Sequence, residues 1–81
     1  PLERVQRRAL FAREALGDAA RVGEIPPALA ARLDTLEMLT PGDFANVVRQ
    51  RELLEESLSP EDFLRRLIVE CRYKEGTQAA A

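Results

Sequence analysis

Proline and glycine divide this chain into short segments, and that division constrains the fold more than any other feature. Gly17, Pro26, Pro41 and Pro60 lie between the segments or at their starts, not inside them. Within each segment apolar residues recur every three or four positions, which is typical of an amphipathic helix. Isolated helices of this length are marginal in water, so the segments must share a core. The chain of 81 residues therefore predicts one all-α domain, a four-helix bundle.

The first two helices are bounded by stop and start signals. The first is predicted from Leu2 to Leu16, because Gly17 is a common residue just after a helix. The second is predicted from Pro27 to Met38, since proline is tolerated in a first turn. Their predicted apolar stripes are Leu2, Val5, Ala9, Ala12 and Leu16, widened by Leu10 and Phe11, and then Leu29, Leu33, Leu36 and Leu39.

The third and fourth helices begin with the same device. Thr40 and Ser59 each offer a hydroxyl at the N-cap, followed by proline and then by carboxylates in the first turn. The predicted stripes are Phe44, Val47, Val48 and Leu54, with Leu58 closing the loop, and then Phe63, Leu64, Leu67, Ile68 and Cys71. We expect the helical domain to cover 1–74 and a disordered C-terminal tail to cover 75–81.

Composition argues against several classes of partner. The 12 basic and 14 acidic residues are interspersed and give a formal net charge of -2, so no nucleic-acid partner is indicated. No apolar run approaches the roughly 20 residues of a membrane span, so we expect no membrane contact. Cys71 is the single cysteine and fits a small core residue in a reducing, cytoplasmic protein.

The residues needed for catalysis are missing from this sequence. There is no histidine, no G-x-x-x-x-G-K-[ST] loop and no Cys/His or Ser/His/Asp set, so we expect the chain itself to run no reaction. The acidic pairs at 55–56 and 61–62 are expected to be solvated, since neighbours on a helix point apart. Most of the basic candidates are expected on the solvated surface or in surface ion pairs, and one or two could contact a nucleotide or a neighbouring subunit. These candidates are Arg7, Arg8, Arg49, Arg51, Arg65 and Arg66.

Three stretches, in this order, resemble one family. PLERVQRRALF (1–11) resembles P-x-x-x-x-R-x-x-I-L, and LTPGDFANVVRQRELL (39–54) resembles T-x-G-[YF]-S-G-A-D-[LI]-x-x-[LV]-x-x-x-A. LSPEDF (58–63) resembles I-[ST]-x-x-D-[FL]. These are the anchors of the C-terminal lid domain of AAA ATPases, and L-T-P-G-D-F is typical of a bacterial subgroup. The resemblance covers the chain from Pro1 to about Tyr73.

The resemblance implies a function that depends on a longer protein. An AAA lid is a four-helix bundle that follows a nucleotide-binding core, packs over the adenine and ribose of ATP, and moves during ATP hydrolysis. It also contacts the neighbouring subunit of a ring, usually a hexamer. ATP and Mg would be held in the parent protein, with none bound by this chain alone. The chain opens at Pro1 without an initiator Met, so we expect it to be a piece of a longer protein, and the resemblance implies that the nucleotide-binding core lies upstream.

Site residues are carried over by position. The pair that approaches the nucleotide at the start of the third helix falls on Pro41 and Gly42, and the apolar residue against adenine falls on Ala9. The family often has a histidine one turn after the adenine-contacting residue, and this position falls on Arg13. Thr40 and Asp43 correspond to the cap of the turn that begins the third helix.

The chain also departs from the family's pattern. Gln6 stands for Arg, Ala9 for Ile, Arg13 for His and Gly42 for Ala, and the link from 33 to 43 is about one residue shorter. Arg49 lies seven residues beyond Gly42, roughly 10 Å along a helix, which is too far for the phosphate-sensing arginine of broader relatives.

Other interpretations stay open from the sequence alone. A stand-alone helical module could dock a partner helix in a groove. A helical DNA-binding domain is disfavoured by the acidic balance and by the lack of a basic recognition helix. A helical bundle of unstated role is the remaining alternative.

Overall fold

The computed structural model describes the backbone of residues 1–80 and the side chains of residues 1–74. It contains α1 (Arg4–Phe11), α2 (Pro27–Asp34), α3 (Pro41–Leu53) and α4 (Pro60–Ala80). Between α1 and α2 lie a π-helical turn, Ala12–Leu16, and a 3-10 helix, Ala19–Glu24. All regular structure within residues 1–80 is helical, which confirms the predicted class. The predicted disordered tail at 75–81 falls on residues whose side chains lie outside the described part, and it stays a prediction.

The predicted start and stop signals operate as expected at three points. Gly17 ends the first helical segment in the left-handed conformation, with φ of 90°. The Thr40 hydroxyl accepts the Asp43 N–H at 3.3 Å at the start of α3. The Ser59 hydroxyl accepts the Asp62 N–H at 3.1 Å before α4. Each cap satisfies a backbone N–H that a helix end would otherwise leave without a partner.

Three phenylalanines from three different helices meet at the centre of the core. The rings of Phe11 and Phe63 meet edge to face with centroids 5.9 Å apart, and Phe44 lies 6.2 Å from Phe63. The other buried apolar residues come from the π-helical turn, from α2, α3 and α4 and from the loops: Ala12, Ile25, Leu29, Leu33, Leu39, Val47, Leu64, Leu67 and Cys71. The core prediction for Cys71 is therefore confirmed. Burying one large apolar side chain contributes about 1.5–3 kcal/mol, so this cluster supplies most of the drive to fold.

For two residues the prediction that they lie on a buried apolar stripe is wrong. Val5 is 75% exposed, while Arg7, two positions on, is buried. Leu54 is 62% exposed because α3 ends at Leu53 and the chain turns away there. The apolar spacing predicts that Val5 faces the core. In the structure Arg7 faces inward instead, because its guanidinium donates to the carbonyls of Leu2 and Asp34.

The second helix is shorter than predicted. It ends at Asp34, and the Thr35 hydroxyl donates to the Arg32 carbonyl at 2.6 Å. Tight turns then lead to Leu39, whose N–H donates to Leu36 at 3.2 Å. This compact loop delivers the fully buried Leu39 to the core immediately before α3 begins.

The 3-10 helix is an element that the sequence did not indicate. The Asp18 carboxylate accepts the Ala20 N–H at 2.9 Å and caps it. Val22 lies opposite Val5 and Ala9 across a shallow cleft on the outside of α1. The outer surface of α1 is therefore bordered by a short helix on one side.

Candidate functional site

The first turn of α3 is held by reciprocal hydrogen bonds. The Thr40 N–H donates to Asp43 Oδ2 at 3.0 Å, and the Asp43 N–H donates to Thr40 Oγ1 at 3.3 Å. Pro41 occupies the first helical position, where its missing N–H costs nothing. The turn has one fixed geometry as a result, which is what a surface for close ligand contact needs.

Lys74 reaches this turn from α4. Its ammonium donates to Asp43 Oδ2 at 2.7 Å and to the Met38 carbonyl at 2.9 Å. Burial raises the pKa of the Asp43 carboxyl, but the hydrogen bonds from Lys74 and Thr40 together outweigh burial and hold the pKa below its ordinary value. Asp43 is therefore an ionised, buried carboxylate that ties two helices together.

The start of the chain is held against the same loop. The Leu2 N–H donates to the Leu39 carbonyl at 2.8 Å. Arg7 Nη1 donates to the Leu2 carbonyl at 2.7 Å, and Arg7 Nη2 donates to the Asp34 carbonyl at 3.3 Å. Arg7 is only 5% exposed, so the expectation that it is a solvated arginine is wrong. Its partners are backbone carbonyls at the chain start and at the end of α2, which no sequence pattern reveals.

Two of the four predicted site residues line one cleft. Arg13 and Pro41 border a cleft of about 370 Å³ between the first helical segment and α3. Its apolar lining includes Leu10, Phe44 and Val48. Arg13 and Pro41 are 28 positions apart in sequence, and the packing of the two segments brings them to one surface.

Ala9 lines a second cleft that continues the first. This cleft, of about 300 Å³, is lined by Ala9, Leu2 and Gln6, and it shares Leu10 and Arg13 with the first cleft. We call the two clefts together the α1–α3 face. It is apolar at its floor, with the guanidinium of Arg13 at the junction.

Gly42 lies beside this face and lines neither cleft. It is exposed in the first turn of α3, next to Pro41. A Cβ added to Gly42 would meet only Thr40 Oγ1, at 3.6 Å, which is an ordinary contact. The protein itself therefore leaves room for a larger residue at position 42, and a demand for a small one could come only from a ligand.

Glu14, which lines the first cleft and to which the sequence assigned no role, accepts hydrogen bonds from two arginines. Arg13 Nε donates to Glu14 Oε2 at 2.9 Å, and Arg51 Nη1 donates to the Glu14 carbonyl at 2.9 Å. The Arg51 guanidinium also lies 5.8 Å from the centroid of the Phe63 ring. Arg51 is thus part of the packing between the π-helical turn and α3, with its charge facing a core aromatic ring.

Among residues 1–74, no three His, Cys, Asp or Glu side chains are grouped so that they could hold a metal ion. In the described part of the chain, none of the helices combines the length and the apolar character that crossing a bilayer requires.

Comparison of the chain with protein-family models, with curated proteins and with solved structures gives no match.

Proposed function

We propose that this chain is the C-terminal lid domain of a AAA-type ATPase, closing over a nucleotide bound by an upstream core. The observation that carries the proposal is the α1–α3 face. Ala9, Arg13 and Pro41 were assigned by resemblance from two separate stretches of sequence, and they border one continuous surface. Arg13 borders both of its clefts, so a ligand there would contact both helices.

The residues present fit the adenosine part of a nucleotide. Ala9 and Leu10 give an apolar floor on which a planar ring can lie, and Arg13 can stack on that ring or donate hydrogen bonds to its polar atoms. Gly42 is exposed at the edge of the face and has no side chain that would obstruct a ligand there. These residues would bind and orient the ring and exclude water from it.

Cleavage of ATP would require groups that this chain does not supply. The sequence has no phosphate-binding loop, and the described side chains include no group that fits Mg. The upstream core would supply both, and its own residues would activate the attacking water. The role of this chain is closure of one domain on another.

Ring assembly is the further part of the proposal. The resemblance implies contact with a neighbouring subunit of a bacterial, cytoplasmic homo-oligomer. Leu53 and Leu54 are 77% and 62% exposed at the end of α3, outside the α1–α3 face, and they offer an apolar contact for such a neighbour.

The direct test is a titration of the ¹⁵N-labelled chain with adenosine and with ADP, in which NMR records the change in each amide chemical shift. We expect a Kd of about 1 mM or weaker, because the phosphate site is missing. Shifts should be confined to amides around Ala9, Arg13 and Gly42. The variant Gly42→Val should weaken them, while Ser57→Val, at an exposed position off the face, should not. Shifts elsewhere only, or none near saturation of adenosine solubility, would overturn the nucleotide role.

A second observation concerns the parent gene. The sequence upstream of Pro1 should encode a phosphate-binding loop and an acidic D-E pair within about 200 residues. A gene without them would favour the alternative, a stand-alone protein-interaction module.

A further inference from the structure

A second surface of the molecule lies between α2 and α4. It is a cleft of about 550 Å³ that shares no lining residue with the α1–α3 face. Its apolar lining includes Leu36 and Ile68, both half-buried, and the buried Cys71. Two arginines, Arg32 and Arg72, border it, one from each helix.

The charge at this cleft is unbalanced. Arg32 and Arg72 are both exposed, and within the described side chains neither forms an ion pair. Among the side chains of residues 1–74, no carboxylate lines the cleft. A guanidinium is well suited to a carboxylate because its planar fork can donate two parallel hydrogen bonds.

Most arginines at the other clefts form ion pairs inside the chain; the exception is Arg49 on the α1–α3 face, whose side chain donates to Asn46 Oδ1 at 3.2 Å. Arg13 is bonded to Glu14, Arg66 to Glu56 and Arg8 to Asp34. At those clefts a carboxylate either pairs with the arginine or, for Arg49, lines the same cleft. At the α2–α4 cleft no described carboxylate does either, and we take its positive charge as the feature that a partner would recognise.

We propose that the α2–α4 cleft binds an acidic amphipathic segment of a partner protein. An apolar side chain of the segment would pack on Leu36 and Ile68, and its flanking carboxylates would pair with Arg32 and Arg72. A protein segment is favoured over nucleic acid by the apolar lining and by the net charge of -2 on the chain, since phosphate backbones are held by many cations. The proposal does not depend on the lid function, because it uses different residues.

The test measures binding of two synthetic peptides to the whole chain by fluorescence anisotropy. The first is a labelled dodecapeptide with leucines at helical spacing and Asp or Glu at the flanking positions. The second has lysine at every acidic position. The acidic peptide should bind and should shift the amides around Ile68 and Leu36, and the basic peptide should not bind.

Charge reversal supplies the matched variants. The double variant R32E/R72E should lower the affinity for the acidic peptide by about tenfold or more, because carboxylates of the chain would face carboxylates of the peptide. The control R4E/R49E changes the net charge equally at two exposed arginines outside the cleft, and should leave affinity within about twofold. All four arginines are exposed, so circular dichroism should show intact helices in both variants.

Three outcomes would overturn the proposal. The first is no binding of the acidic peptide at millimolar concentration. The second is equal weakening by the two double variants, which would indicate general charge attraction. The third is binding of a labelled DNA duplex, lost in R32E/R72E, with no peptide binding, which would assign the cleft to nucleic acid. None of these bears on adenosine shifts at the α1–α3 face, so the two proposals can fail separately.

Discussion

Lys74 Nζ lies 2.7 Å from Asp43 Oδ2, and this contact joins α4 to the first turn of α3. The two residues are 31 positions apart, and both are largely removed from solvent, with side-chain exposures of 28% and 10%. The same ammonium holds the Met38 carbonyl. The loop that precedes α3 is thus fixed from α4 on one side and, through Leu2 and Leu39, from the chain start on the other.

Removal of Lys74 should destabilise the fold. The variant Lys74→Met leaves the Asp43 carboxylate buried without its charged partner, and we expect a loss of about 1–3 kcal/mol in the free energy of unfolding. Urea denaturation measures it. The double variant Lys74→Met with Asp43→Asn should recover part of the loss, since no unpaired charge remains. Equal stability of wild type and Lys74→Met would show that the pair contributes nothing.

Acid should weaken the same contact. The folded-state pKa of Asp43 is held below its ordinary value, so the stabilisation from this carboxylate is present above that ordinary value and is lost as pH falls through the folded-state pKa. We expect stability to fall below about pH 4. In the variant Asp43→Asn the free energy of unfolding should fall less steeply as the pH is lowered. Free energies of unfolding measured between neutral and acidic pH test this expectation. The same pH dependence in the variant and in the wild type would show that ionised Asp43 does not stabilise the fold.

Arg7 should be hard to replace, even by lysine. Its guanidinium bonds to two carbonyls in different directions, and one ammonium cannot reproduce that geometry. We expect Arg7→Lys to lower the free energy of unfolding by about 1–3 kcal/mol, since a buried carbonyl would lose its donor. Arg8→Lys keeps the charge at a half-buried ion pair with Asp34 and should cost less. Thermal melts of the two variants side by side measure the difference.

The helix starts and most of the core were predictable from the sequence because their signals are local. Thr40 and Ser59 cap helices within three residues of themselves, and the apolar spacing of α4 places Phe63 and Leu67 on one face. Gly17 is a local signal of the same kind, since its φ is one that other residues avoid.

What escaped prediction depends on distant contacts. Arg7 is buried because the carbonyls of Leu2 and Asp34 converge on it, and carbonyls are the same in every residue. The π-helical turn and the 3-10 helix follow from how the chain returns to α2, and neither has a distinctive composition. At the site, Arg13 and Pro41 meet only through helix packing, so their proximity could be expected from the family resemblance but not from spacing.

The glycines provide a matched pair of substitutions. Gly17 has φ of 90°, so Gly17→Ala should cost about 1 kcal/mol. Gly42 has a helical position with only an ordinary contact at 3.6 Å, so Gly42→Ala should leave stability unchanged or raise it by up to about 1 kcal/mol. The urea midpoint should therefore fall in Gly17→Ala and stay unchanged or rise in Gly42→Ala. A loss at both positions would mean that the first turn of α3 is tighter than the Thr40 contact indicates.

Glu55 is a position at which a substitution should stabilise the chain. Its φ of 51° is left-handed, and it follows α3 in a turn where the Glu56 N–H donates to the Arg51 carbonyl at 2.9 Å and the Glu55 N–H donates to Glu52 at 3.2 Å. This pair of bonds is the Schellman motif, in which glycine normally takes the left-handed position. We expect Glu55→Gly to raise the free energy of unfolding by about 0.5–1 kcal/mol, because the backbone strain disappears. The control Glu52→Gly, in the last turn of α3, should lower it by about 0.5–1 kcal/mol, since glycine weakens a helix. Opposite shifts of the two melting temperatures would establish the strain at Glu55, and a loss in both variants would mean that the Glu55 side chain contributes more than its backbone costs.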